Sequence, residues 1–127
     1  MAMASDPIGL APPIPVLRMF DIAKTFEFYR DYLGFTVDWE HRFAPDLPLY
    51  AQVSRGAARI HLSEHHGDGT PGTVLWMAVD DIHAWHAEIT AKEYRFARPG
   101  CPEDGPGGPG FELIDPAGNT LRFAQPG

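Results

Sequence analysis

The sequence predicts an α+β fold in which two βαβββ modules fold as one unit. Two observations carry this. The 127-residue chain makes one statement twice, about sixty residues apart: Ile14 to Phe20, then Asp21, then a helical Ile22 to Leu33; and Val74 to Val79, then Asp80-Asp81, then a helical Ile82 to Lys92. Each half then closes on a short strand, Ala57 to Ser63 and Asn119 to Gln125. A repeat this short cannot bury a core alone, so the copies must share one. The expected layout is a lead-in over 1–12, module one over 13–66 and module two over 73–126.

The first helix has the plainest signals. Asp21 is an N-cap; Ile22, Phe26, Tyr29 and Leu33 recur as one helical stripe; Gly34 stops the helix. The second repeats this with Asp81 as cap and Ile82, Trp85 and Ile89 as the apolar face, which leaves His83 and His86 off the stripe. The strands alternate. Leu17 and Met19, Leu49, Ala51 and Val53, Ile60 and Leu62, Leu75 and Met77, and Leu121 and Phe123 each form an apolar face meant for the helices. The opposite face mixes Arg18, Tyr50, Gln52, His61, Ser63, Trp76 and Arg122. A solvated face seldom mixes Trp and Tyr with charges, whereas a ligand cavity does. DPAGN at Asp115 to Asn119 has the chemistry of a hairpin turn. The run Pro99 to Gly110 holds five glycines and four prolines, which excludes regular structure for most of its length. It reads equally as a flap or a surface loop.

Composition narrows the function. A net charge of −7 without any Lys/Arg cluster argues against nucleic acid and favours a cationic small molecule or plain solubility. One cysteine, Cys101, allows no intrachain disulfide, so a cytoplasmic location is expected. The first residues lack the basic-then-apolar order of a signal peptide, and no apolar run is long enough to span a bilayer. The run His61 to Asp68 packs three imidazoles and two carboxylates into eight residues. On a strand, however, Glu64 and His66 point away from His61, Ser63 and His65. A polar strand end running into a turn is the competing reading.

The stretches FYRDYLGF (Phe28 to Phe35), VDDI (Val79 to Ile82) and LIDPAGNTLRF (Leu113 to Phe123) resemble the glyoxalase / bleomycin-resistance superfamily, the vicinal oxygen chelate fold. TVDWEHRF and HLSEHHGDGTPG resemble its bleomycin-resistance-type members. The resemblance spans 13–126 and implies a curved eight-stranded mixed sheet around a cavity, with helices outside. Enzymes of the superfamily hold a divalent metal with one residue from each of four strands. Those four places fall here at Ile14, His61, Val74 and Arg122. Ile and Val have no donor atom and Arg adds a fixed positive charge, so no metal and no other cofactor is expected.

The resemblance then implies a metal-free protein that sequesters a bleomycin-type antibiotic or related natural product. It also implies a homodimer, with modules exchanged and grooves at the interface. Stacking surfaces would come from Trp39, Tyr50 and Trp76; Asp38, Glu40 and Glu64 would meet a cationic tail. Plain alternatives compete: Trp39 shares parity with Val37 and reads rather as core, and Asp38 and Glu40 rather as solvated edge charges. The chain departs from the pattern at Gly105 to Gly110, where relatives usually carry Trp and Arg. The competing functional reading is an enzyme with a non-standard metal site around His61, Glu64 and His65. A third is an accessory protein without small-molecule chemistry of its own.

Overall fold

The computed structural model describes residues 6–94 and 97–127. Module one runs β1 (Val16–Arg18), α1 (Ile22–Phe26), a wider helical segment (Glu27–Tyr32), β2 (Thr36–His41), β3 (Tyr50–Arg55) and β4 (Ala58–Ser63). Module two runs β5 (Val74–Ala78), α2 (Ile82–Thr90), β6 (Gly110–Ile114) and β7 (Thr120–Ala124). Sheet one has the order β1-β4-β3-β2 and sheet two β5-β7-β6. In both, the strand before the helix pairs parallel with the module's last strand, Leu17 opposite Leu62 and Leu75 opposite Leu121. The repeat is therefore structural as well as sequential.

The expected single eight-stranded sheet is corrected to two sheets of four and three strands among the described residues. Two physical causes act. Between α2 and β6 the Gly/Pro-rich run forms one bridge among the described residues, Glu103 with Gly110, because prolines lack the N–H that a ladder needs. The free edge of β1 is also covered. Asn119 Nδ2 donates to the Arg18 carbonyl at 3.0 Å. At Gly69 an added Cβ would lie 2.8 Å from the Val16 carbonyl oxygen.

The caps form as expected. Asp21 accepts from the Lys24 amide at 2.9 Å and Asp81 from the Ala84 amide at 3.0 Å. Gly34 ends the first helix at φ 75°, a conformation costly for any residue with a Cβ. Phe26, Tyr29 and Leu33 are buried, but so are Phe28 and Tyr32, off the expected stripe. The helix widens after Phe26, so that the Leu33 amide bonds Phe28 O, five residues back. That rotation, and a second packing partner, bury both sides: Tyr94 stacks on Tyr32 at 4.4 Å. His86, expected off the stripe, is half-buried, edge-on to Phe111 at 5.4 Å.

One buried carboxylate ties the modules together. Asp115 Oδ2 accepts from the Tyr29 hydroxyl at 2.7 Å and from Asn119 Nδ2 at 3.0 Å; its Oδ1 accepts from the Ala117 and Asn119 amides. Burial and the neighbouring carboxylate hold the Tyr29 hydroxyl well above its ordinary pKa, so it remains a donor. On the opposite side the Arg55 guanidinium pairs with Glu88 and lies 4.8 Å above the Trp85 ring.

Candidate functional site

The polar face of sheet one is assembled by a β-bulge. Val37 pairs with Val53 but Trp39 with Gln52, so Asp38 is an extra residue. The bulge turns both Asp38 and Trp39 to the Gln52 side. This decides between the two readings of Trp39: it is 42% exposed and is not core. Glu40 then pairs with Ala51 and faces the helix side, where its charge acts on Arg30.

On this face the side chains form one directed chain. Asp38 accepts from Gln52 Nε2 at 3.0 Å and from Ser54 Oγ at 2.9 Å. Those bonds from Gln52 and Ser54 lower the Asp38 pKa, so it is an ionised pure acceptor. Gln52 must therefore point its NH2 at Asp38 and its carbonyl at His61, whose Nε2 lies 2.9 Å from Gln52 Oε1. His61 must carry its proton on Nε2, which leaves Nδ1 as acceptor for the Tyr50 hydroxyl at 2.6 Å. Burial agrees at both ends. It lowers the His61 pKa, favouring the neutral ring, and raises the Tyr50 pKa, with Asp68 adding to that, favouring the phenol. Trp39 lies parallel to Tyr50, with centroids 5.9 Å apart and planes within 10°, and edge-on to His61 at 5.3 Å.

The other expected site residues serve elsewhere. Ser63 is fully buried; its Oγ donates to Asp68 Oδ2 at 2.9 Å and accepts from the His65 amide. Arg18 donates to the His65 carbonyl at 2.7 Å and lies over Phe20, while its Nε is buried without a partner. These two residues hold the segment 65–72 down across sheet one. Glu64 Oε1 accepts from the Leu49 amide at 2.8 Å, with Arg42 3.9 Å away. Trp76 and Arg122 make their contacts on sheet two. There Arg122 Nε donates to Glu112 at 2.8 Å, and Gly107 lies against the Trp76 ring. They border a cavity of about 470 Å³ that also includes Glu103 and Gly105 of the Gly/Pro run.

The sequence reading missed Ser54, His41, Phe43 and Asp68 as neighbours of this site. Alternation along β3 contains the signal for Ser54. Alternation from Trp39 along β2 marks His41 in the same way, whereas Phe43 lies in a loop and Asp68 in the connection between modules, where no periodicity applies. With Trp39, Tyr50 and His65, the last three line a cleft of about 390 Å³.

The metal that the fold's enzymes use does not fit these residues. Ile14 and Val74 offer no donor, Arg122 is turned to Glu112, and both nitrogens of His61 are engaged. The alternative site around His61, Glu64 and His65 is likewise corrected. Glu64 bonds the Leu49 amide instead, and no group of three or more His, Cys, Asp or Glu among the described residues is placed to hold an ion. Strand alternation is the reason: Glu64 leaves β4 on the side opposite His61.

Two modules on one plan, one of them carrying a polar aromatic face beside a cleft, define the class of fold. Residues 2–126 match the family described as "Glyoxalase superfamily protein", and the chain belongs to that superfamily. Its fold matches the bleomycin-binding protein of Streptomyces verticillus, solved with copper(II)-bleomycin. Identity is 29%, the TM-score 0.72, and coverage 94% of this chain and 98% of that one. A bleomycin resistance determinant encoded on transposon Tn5 shares 22% identity at a TM-score of 0.71, covering 92% and 98%. An antibiotic-binding protein from a Streptomyces species shares 20% at 0.69, covering 92% and 98%. No curated protein matches the chain. No helix among the described residues is long and apolar enough to cross a membrane.

Proposed function

We propose that this protein binds and sequesters a small molecule of the bleomycin type, or a related natural product, without a metal and without transforming it. The observation that carries this reading is the directed chain Asp38, Gln52, His61, Tyr50. It consumes the donors and acceptors that catalysis or metal binding would need, and it fixes Tyr50 parallel to Trp39 as a stacking surface. The 29% identity to a bleomycin-binding protein over nearly the whole of both chains supports the same class of ligand.

A homodimer is part of the proposal. Val74, Trp76 and Ile114 are each about half exposed or more on the open side of sheet two, where Thr120 and the Arg122–Glu112 pair lie among them; a second copy or a bound guest would cover this mixed face. Expected site residues from both sheets, Trp76 and Arg122 with Trp39, Tyr50 and His61, would then line a shared groove.

Titration with metal-free bleomycin, read by tryptophan fluorescence, tests the ligand. Quenching that saturates and is lost in Trp39→Ala supports it. No quenching at about 100 μM, a binding free energy weaker than roughly 5.5 kcal/mol, removes bleomycin as the ligand. Light scattering during size-exclusion chromatography tests the dimer, and a monomer at all concentrations overturns that part.

A further inference from the structure

We infer that the cavity between the two modules, on the helix side of sheet two, is a second binding site that takes a neutral ring compound bearing a hydrogen-bond acceptor. The cavity measures about 580 Å³ and lies between the Arg55 to Ala58 turn of module one and β5 and α2 of module two. Phe35, Met77, Val79, Trp85 and Phe123 supply most of its apolar wall. Met77 and Phe123 pair with each other and alternate with the Trp76–Arg122 pair, so this cavity opens on the opposite face of sheet two from theirs. The internal repeat shows that the opening is particular to module two. Leu17 and Met19 are fully buried, whereas Met77 and Val79, sixty residues further on, are only half-buried. A mostly apolar wall of this size with few polar groups is what small-molecule sites present, and the unbranched Met77 can repack around a guest.

Trp85 sets the polarity of the guest. It is 9% exposed, and its Nε1–H is buried without an acceptor among the described residues. A buried donor without a partner is costly, and an acceptor carried by the guest removes that cost. Charge of either sign is disfavoured. Asp80, Asp81 and Glu88 border the cavity and oppose an anion. Arg55 is the one cation among the described lining residues, and it lies 4.8 Å over the Trp85 ring, held by Glu88 at 2.8 Å and by the Leu33 carbonyl at 2.9 Å. A cationic guest finds that ring face taken and has no lone pair for the N–H. A neutral acceptor on a ring satisfies both.

The test uses acetophenone, its isostere α-methylstyrene, in which CH2 replaces the carbonyl oxygen, and benzoate. The readouts are the indole N–H resonance of Trp85, assigned with Trp85→Phe, and the methyl resonance of Met77. Acetophenone is expected to shift both saturably, the N–H downfield, and to leave the indoles of Trp39 and Trp76 unmoved. The isostere should bind about fivefold more weakly and benzoate at least about tenfold more weakly. Trp85→Phe keeps an aromatic wall and is expected to abolish the preference for acetophenone over the isostere, read at Met77. Ala84→Leu, at an exposed lining position of α2, fills the cavity and should weaken both about tenfold. No shift at about 10 mM acetophenone, equal affinity for the two isosteres, or a shift at Trp39 in place of Trp85 overturns the site. A Met77 methyl resonance that moves with protein concentration when no probe is present puts a second copy on this face, and overturns it as well. The site uses no residue of the polar face of sheet one, so its failure leaves the proposed function standing.

Discussion

The Tyr50 hydroxyl lies 2.6 Å from His61 Nδ1, and the direction of that bond is set two residues away, at the Asp38 carboxylate. A carboxylate can only accept. Gln52 relays that constraint through its amide, and His61 is left with one permitted tautomer.

Asp38→Asn breaks the constraint, because an asparagine amide can donate or accept. Gln52 can then turn over, and His61 is expected to populate both tautomers. Imidazole nitrogen NMR checks this: a single Nε2-protonated form in the parent protein and a mixture in the variant. A single unchanged tautomer in Asp38→Asn contradicts the relay.

Protonation of His61 is linked to stability. Burial lowers its pKa below the ordinary 6.5, so on acidification the unfolded chain takes up the proton first. The contribution of His61 is therefore complete above about pH 6.5 and is lost as pH falls from there toward the folded-state pKa. Urea unfolding of the parent and of His61→Gln between about pH 5 and pH 8 isolates it. The parent should lose more stability on the acidic side than the variant; an equal loss refutes the linkage.

Tyr29→Phe removes one donor from the buried Asp115 carboxylate while the other three remain. Hydrogen bonds to charged groups are worth roughly 1.5–3 kcal/mol, and a loss of that size is expected in the urea midpoint with an unchanged slope. A loss below about 0.5 kcal/mol, the scatter of ordinary surface substitutions, means that this bond does not hold the modules together.

Gly69→Ala adds a Cβ that would meet the Val16 carbonyl oxygen at 2.8 Å, at φ 65°. The neighbour is backbone and cannot swing aside. The expected cost is about 1–3 kcal/mol, with loosening of the segment that carries Asp68. Gly67→Ala serves as the control: it has the same sign of φ but open space for the added Cβ, and it should cost less. Thermal unfolding of both variants ranks them.

Much of module one was legible along the chain. The apolar partners of Tyr50, Gln52 and His61, namely Ala51, Val53, Ile60 and Leu62, are buried, as alternation requires. Asp21, Asp81 and Gly34 occupy the cap positions their chemistry predicts. The Asp115 to Asn119 turn joins β6 to β7. These features depend on a residue's own backbone preferences and on the side of a strand it occupies, so they are local properties.

The site was legible only in part, because its decisive features are not local. The bulge at Asp38 shifts strand parity by one and moves Trp39 to the polar face, and nothing in TVDWEH marks where the shift falls. Asp68 lines one cleft with Tyr50 where the connecting segment, at Gly69, lies close against the backbone of β1. Among the described residues the second sheet has three strands instead of four, since proline-rich chain cannot supply a ladder. Composition and periodicity determined which residues can be buried, capped or turned. Only the packed chain decided which of the remaining polar and aromatic groups meet, because register and loop path are chosen by the free energy of the whole fold.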